Sequence, residues 1–244
     1  MIPPICYASD QQQKLAEELA QKIGTSSTSD PKFLELPHLA LSESGLSFFH
    51  PQARSSKNFQ IDFDSGSTAW RIKHADHEKL IKKALGKSEA PLNILDCTAG
   101  LLQDALLFLG LGHQVTALEQ SRILFYLLQD GIERSDNQSI FLNLDLMHMN
   151  ACSYASMAKG FDVIYFDPMY SPTKKTALSS GQLQYIAKIL ETELIKNDPK
   201  QDFEVLQLIP AKKMIVKRPI KADPFSSQIN YQVLGKTTRF DVYI

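Results

Sequence analysis

Asn93-Ile-Leu-Asp-Cys-Thr-Ala-Gly100, followed by Leu101-Leu-Gln-Asp104, decides the fold: an apolar run of strand length enters a glycine turn and leaves it as a helix. Asn93 to Cys97 is the strand and Gln103 to Leu109 the helix. The rhythm then repeats. Gln114 to Leu118 reads as a second strand, Ser121 to Arg134 as a helix, Ile140 to Leu144 as a third strand and Asp162 to Phe166 as a fourth. Ser180 to Lys196 and Phe203 to Ile209 read as helices and Met214 to Lys217 as a fifth strand. Such alternation predicts a mostly parallel sheet covered on both faces. Tyr231 to Leu234 and Arg239 to Ile244 flank Gly235 closely enough for an antiparallel pair, which brings the sheet to seven strands with a reversed C-terminal one.

Upstream the pattern differs. Asp10 to Ile23 has helical apolar spacing, with Ser9 placed as N-cap and Gly24 as stop. Phe33 to Leu36, Leu39 to Leu41, Leu46 to Phe49 and Phe59 to Phe63 are short strand-like runs broken by Pro37, Gly45 and Pro51. Ala75 to Leu85 is helical, with Gly86 to end it. Residues 1–70 are therefore expected to form a small α+β appendage and residues 71–244 the main α/β domain.

Composition narrows the function. The 244 residues are 43% hydrophobic and 22% charged, ordinary for a globular protein. No apolar run approaches the roughly 18 residues of a membrane span, and Met1 to Asp10 lacks the basic-then-apolar order of a secretory leader. A cytoplasmic protein is expected. Cys6, Cys97 and Cys152 are far apart with no CxxC pair, which argues against a disulfide framework or a zinc site. A net charge of −1 argues against general coating of nucleic acid, so any such partner must meet local basic patches.

The turn carries the first chemistry. A pyrophosphate-binding turn needs further glycines where Leu101 and Leu102 stand. S-adenosylmethionine carries an ammonium and a sulfonium instead of phosphates, and the carboxylates of Asp96 and Asp104 suit it better. The alternative is that Asp104 caps the helix electrostatically and Gly100 merely turns the chain. Glu119 closes the second strand roughly 20 residues later, where a carboxylate can accept ribose hydroxyls. Asp145, read as following the third strand, is a candidate for the adenine amine, with a plain loop aspartate as the alternative. The narrowest signal is Asp167-Pro-Met-Tyr170 after the strand. An exocyclic base amine is a weak nucleophile because its lone pair is delocalised. The Asp167 carboxylate and the Pro168 carbonyl would accept its two N–H groups and aim the nitrogen, while Tyr170 stacks on an unpaired or flipped base.

Five stretches extend this reading: Asp96-Cys-Thr-Ala-Gly-Leu-Leu-Gln-Asp104, Ala117-Leu-Glu-Gln120, Val163-Ile-Tyr-Phe-Asp-Pro-Met-Tyr170, Val216-Lys-Arg-Pro219 and Gly235-Lys-Thr-Thr-Arg-Phe-Asp-Val-Tyr243. From about Trp70 onward the chain resembles the RsmJ family of bacterial small-subunit rRNA guanine-N2 methyltransferases. The resemblance implies a class I methyltransferase fold and methyl transfer from S-adenosylmethionine to the N2 amine of a guanine in small-subunit rRNA, free or in the 30S subunit. Carried over by position, cofactor contacts fall on Gln103, Asp104, Glu119, Gln120, Leu144, Asp145 and Asp167. The family's Gly-Leu-Gly-Arg-Asp reads Gly100-Leu-Leu-Gln-Asp104 here, and its glycine-rich stretch before the first strand is absent from Trp70-Arg-Ile-Lys-His-Ala-Asp-His77.

Basic pairs at Lys174-Lys175 and Lys217-Arg218 are candidates to meet RNA phosphates, against the alternative of solvated faces. His74 and His77 have no third ligand evidently placed, so no metal is expected. Three rival functions stand beside this one: methylation of another base amine or a protein amide, a nicotinamide-dependent oxidoreductase, and a non-catalytic RNA-binding assembly factor.

Overall fold

The structure is a computed structural model and describes residues 2–53, 58–169 and 181–244. The first part of the chain runs β1 (Ile5–Tyr7), α1 (Asp10–Ile23), β2 (Ser27–Thr28), β3 (His38–Ser42), β4 (Gly45–Phe49), α2 (Gly66–Lys73) and α3 (Lys79–Leu85). The alternating part follows: β5 (Asn93–Asp96), α4 (Gln103–Gly110), β6 (Gln114–Glu119), α5 (Arg122–Arg134), β7 (Leu144–His148), α6 (Ala151–Ala155) and β8 (Phe161–Phe166). The rest comprises α7 (Gly181–Thr192), α8 (Pro199–Leu206), β9 (Ala211–Pro219), β10 (Tyr231–Leu234) and β11 (Thr238–Tyr243).

These elements group into two compact units, one of residues 1–63, 121–136 and 172–196, the other of 64–120, 137–171 and 197–244. The cut expected at residue 70 falls inside α2. In the first unit, a four-stranded sheet in the order β2-β1-β3-β4 is mostly parallel around β1 and closes with the β3–β4 hairpin. Gly24, left-handed at φ 78°, ends α1 and bonds its N–H to Ala20. Helix α5 belongs to this unit: its Asp130 accepts the Leu46 N–H, and bare Gly131 lies against Ile61 and Phe63.

Two expected strands of this unit take other forms. Phe33–Leu36 falls mainly in a 3₁₀ turn, Pro31–Glu35, because Asp30 caps the Lys32 N–H and Pro31 is preorganised at the first position. Phe59–Phe63 keeps the burial alternation of a strand, with Phe59, Ile61 and Phe63 inside, but only Phe59 bridges, to Phe48.

The second unit holds a seven-stranded sheet in the order β10-β11-β9-β8-β5-β6-β7, with β11 antiparallel to both neighbours and β9-β8-β5-β6-β7 all parallel. This is the class I methyltransferase architecture. Leu95, Ile164, Phe166, Met214 and Val216 pack on Phe203 and Leu206 of α8. On the opposite side of β8, Tyr165 meets Phe108 of α4 edge-on at 5.0 Å. Burial on both faces explains why these strands read as unbroken apolar runs.

The third parallel strand lies downstream of its expected place. Gln138–Asn143 is a 3₁₀ turn and β7 begins only at Leu144. From β5 the chain goes outward to β6 and β7, then returns to place β8 on β5's other side. The strand order therefore reverses between β5 and β8, the place at whose carboxyl ends open α/β sheets bind ligands.

Candidate active site

Everything of chemical interest gathers where β5, β6, β8 and β9 end. Asp96, the last residue of β5, is 2% exposed and accepts the Thr98 N–H at 3.0 Å, bracing the turn from beneath. Gly100 is left-handed at φ +54°, and a Cβ there would meet nothing nearer than the Thr98 carbonyl at 3.7 Å, so the backbone presents a bare face. Leu102 is left-handed too, at φ 58°, and fully buried. It holds with an L side chain the place where the resembling family has glycine, at a cost of about 1–2 kcal/mol. Glu119 ends β6, and its Oε2 accepts the Gly100 N–H at 3.1 Å.

Asp167 follows β8, and its N–H donates to Thr98 Oγ1 at 2.8 Å, tying the strand's end to the β5 turn. Its carboxylate Oδ2 lies 2.8 Å from Lys217 Nζ, which also lies 2.7 Å from Asp104 Oδ2. That Asp104 oxygen further accepts the Tyr165 hydroxyl at 2.7 Å, while Arg71 Nη2 reaches Asp104 Oδ1 at 3.5 Å. A line of alternating charge results: Arg71, Asp104, Lys217, Asp167. Strand register builds it, since Phe166 pairs with Val216 and so brings Lys217 level with Asp167.

Burial sets the protonation of this group. It pushes Asp96 up to about 7, with Asp104 and Asp167 adding to the rise and the Thr98 N–H opposing it. Burial also lifts Asp167, to about 6, because Asp104 reinforces the effect and Lys217 only partly offsets it. Asp104 is buried as well, yet Lys217, Tyr165 and Arg71 together hold it below the usual carboxylate range. Burial disfavours the Lys217 ammonium, but its two carboxylates outweigh that and raise its pKa.

The remaining expected residues are placed as follows. Gln103 opens α4, half-buried beside Asp104. The side-chain amide of Gln120 is engaged at both ends, by Asn150 at 2.9 Å and Asn197 at 2.6 Å. Pro168 is buried directly after Asp167. Tyr170, Lys174 and Lys175 lie outside the described residues.

Two expectations need correcting. Leu144 does not end a strand and Asp145 does not follow one, for both start β7: Asp145 pairs with Thr116, so both lie toward the amino end of β7, away from Glu119. The residues level with Glu119 are His148 and, just beyond, Met149, whose N–H bonds the Glu119 carbonyl at 2.9 Å. Lys217 and Arg218 are not phosphate-facing cations either. Lys217 is committed to two carboxylates, and Arg218 is 7% exposed, lies over the Phe225 ring at 3.8 Å and donates to the Asp223 carbonyl.

The sequence alone assigns no role to Thr98, Tyr165 or Asn150, and Arg71 reads there only as a member of a basic pair with Lys73, whereas Arg71 reaches Asp104. For Thr98 and Tyr165 a signal existed, since both sit within the motifs that end β5 and β8.

Comparison with known proteins gives a consistent result. A family of SAM-dependent methyltransferases matches residues 19–244. Ribosomal RNA small subunit methyltransferase J of Coxiella burnetii is 32% identical, over 95% of this chain and 91% of its own. The protein of that name from Thioalkalivibrio sulfidiphilus is 31% identical, over 98% of this chain and 96% of its own. A solved SAM-dependent methyltransferase from Neisseria gonorrhoeae superposes with a TM-score of 0.68 at 25% identity, covering 98% of this chain and 96% of that one.

Proposed function

This chain belongs to the ribosomal RNA small subunit methyltransferase J family of SAM-dependent methyltransferases, and on that premise we propose that it methylates the exocyclic N2 amine of a guanine in small-subunit rRNA. The observation that carries the reading is the placement of Asp167 beside the Gly100 turn, at the reversal of strand order, with one carboxylate oxygen gripped by Lys217.

The residues fit the cofactor. Glu119 brings a carboxylate to the open backbone at Gly100, and Asp104 and Asp167 add acidic groups next to the same turn. Such a donor set suits a nucleoside that carries an ammonium and a sulfonium better than one that carries phosphates. Glu119 would hold the ribose hydroxyls, and Gly100 with Asn150 would border the nucleoside. When bound, the cofactor supplies a methyl group activated by a positive sulfur.

The chain's own residues do the positioning. Lys217 fixes the Asp167 carboxylate by Oδ2, and the other oxygen accepts one N–H of the amine. The Pro168 carbonyl accepts the second. Held by both N–H groups, the nitrogen keeps its lone pair directed out of the ring plane, and orientation supplies much of the rate. Asp167 must be ionised to accept, and it takes up the proton that the amine sheds once methylated. Lys217 therefore acts as a positioning residue that also favours the charged form of Asp167.

The test is incubation with labelled S-adenosylmethionine and small-subunit rRNA from cells lacking the protein, both as naked RNA and as assembled 30S subunits, followed by nucleoside mass spectrometry. N2-methylguanosine at one position is the expected product. Absence of label from both substrates would overturn the proposal, and label on another base would reassign the amine.

A further inference from the structure

We propose that Trp70, stacked on His74, is a platform for an unpaired base of the RNA next to the methylated one, an inference that rests on the reading just given. Trp70 is the one tryptophan of the chain and is 57% exposed on α2. Its ring lies 4.4 Å from that of His74 at an interplanar angle of 19°, and His74 Nδ1 is 2.8 Å from the Trp70 carbonyl oxygen. His77 follows at 5.4 Å from His74. The indole thus has an imidazole backing and is held in one orientation, while much of its surface is open to solvent.

Where α2 sits gives this surface its meaning. Arg71, the next residue, pairs with Glu78 at 3.1 Å and reaches Asp104, the acid that shares Lys217 with Asp167. Gly110 of α4 lets the segment approach closely, for a Cβ there would come within 3.0 Å of Ala75. The platform is therefore fixed to the helix that carries Asp104.

The chemistry around Trp70 selects the partner. An apolar protein partner would need neighbouring apolar side chains, whereas the chain beside Trp70 carries Arg71, Lys73, His74 and His77, of which His74 stacks on the ring and Arg71 pairs with Glu78 and Asp104, and the nearby Asp76 is paired with Lys82 at 3.0 Å. A flat aromatic face among cationic and titratable groups fits a single-stranded polyanion with flat bases, since base–aromatic stacking needs no particular base. This also answers how a chain of net charge −1 grips RNA, by stacking more than by a broad basic field.

Because Trp70 stands alone, its fluorescence reports on the site directly. Titration with a single-stranded RNA of about ten nucleotides should quench the emission, and S-adenosylmethionine alone should leave it within a few per cent. Trp70→Ala should raise the KM for rRNA about tenfold with kcat within about twofold, and Trp70→Phe should recover most of the loss. Quenching by the cofactor alone, no quenching by RNA, or an unchanged KM in Trp70→Ala would each overturn the platform. If the wild-type protein transfers no methyl group, the reading beneath it fails, and the fluorescence titration still decides the platform.

Discussion

Replacing Lys217 with methionine keeps the stem that packs along β9 and removes the charge that Asp104 and Asp167 share. With the lysine present, burial already lifts Asp167 to about 6, so about nine-tenths of it is ionised at pH 7. An opposite charge in contact lowers a carboxylate by about 1–3 units, so its loss should carry Asp167 to about 7–9. At the middle of that range about one-tenth of Asp167 is ionised at pH 7, and the rate should fall about tenfold from ionisation alone. Among the described residues, the groups that face this carboxylate are Asp96 from β5, Tyr165 from β8, Asp104 from α4 with Arg71 behind it, and Lys217 from β9. None of the others supplies a cation in contact with Asp167. The assay is kcat/KM for methyl transfer between pH 5 and 10, with circular dichroism at each pH to confirm that the variant is folded. The acidic limb should move up by one to three units and the rate should recover near pH 9, while Lys217→Arg should keep the limb close to pH 6. A limb that stays at pH 6 in a folded Lys217→Met protein would refute the assignment.

Four further outcomes follow from the same geometry. Asp167→Ala should abolish methyl transfer while leaving S-adenosylmethionine binding weakened but measurable by calorimetry, and wild-type turnover would remove Asp167 from its role. Glu119→Gln should weaken cofactor binding about 10- to 100-fold by the same method, the range for losing a hydrogen bond to a charged group. Asp96→Asn should alter the pH dependence of stability. The Asp96 pKa of about 7 is raised above the unfolded value, so the wild type loses stability as pH climbs from about 4 to 7, and the melting temperature of the variant relative to wild type should rise between pH 5 and pH 8. At Leu102 the usual ranking should invert: Leu102→Ala and Leu102→Gly both lose buried contacts, about 2–5 kcal/mol, but glycine relieves the positive φ and should be the more stable in urea by about 1 kcal/mol.

The sheet was legible because strands buried on both faces leave unbroken apolar runs, as Val163 to Phe166 and Met214 to Val216 do. Where burial is one-sided or partial the reading slipped. Gln138 to His148 alternates through Leu142, Leu144 and Leu146, and pattern alone does not say which end of the alternation pairs with β6. With the strand placed too early, its carboxyl end and the adenine candidate fall at Asp145, whereas Met149 and Asn150 are the residues near Glu119 and Gln120. Helix α2 was missed because Gly66-Ser-Thr-Ala-Trp-Arg-Ile-Lys73 has little apolar period and its one large aromatic faces outward. The compact units interleave along the chain, which a single cut at residue 70 has no means to express.

Carboxylates and glycines of the site were legible as types at strand ends, but their partners were not. A lysine after an apolar strand looks like a surface cation until strand register shows what stands beside it, and the pairing of Phe166 with Val216 turns Lys217 from a phosphate contact into the partner of Asp167. The consequence is electrostatic. Three carboxylates, Asp96, Asp104 and Asp167, share the crevice floor with two cations, Arg71 and Lys217, so one acid is left without a contact cation. Asp96 is the most buried of the three and among the described residues has no lysine in contact, so burial raises it to about 7. Burial with no contact cation favours the protonated form of the residue that braces the turn, whereas the Lys217 ammonium favours the charged form of the carboxylate that must accept the amine.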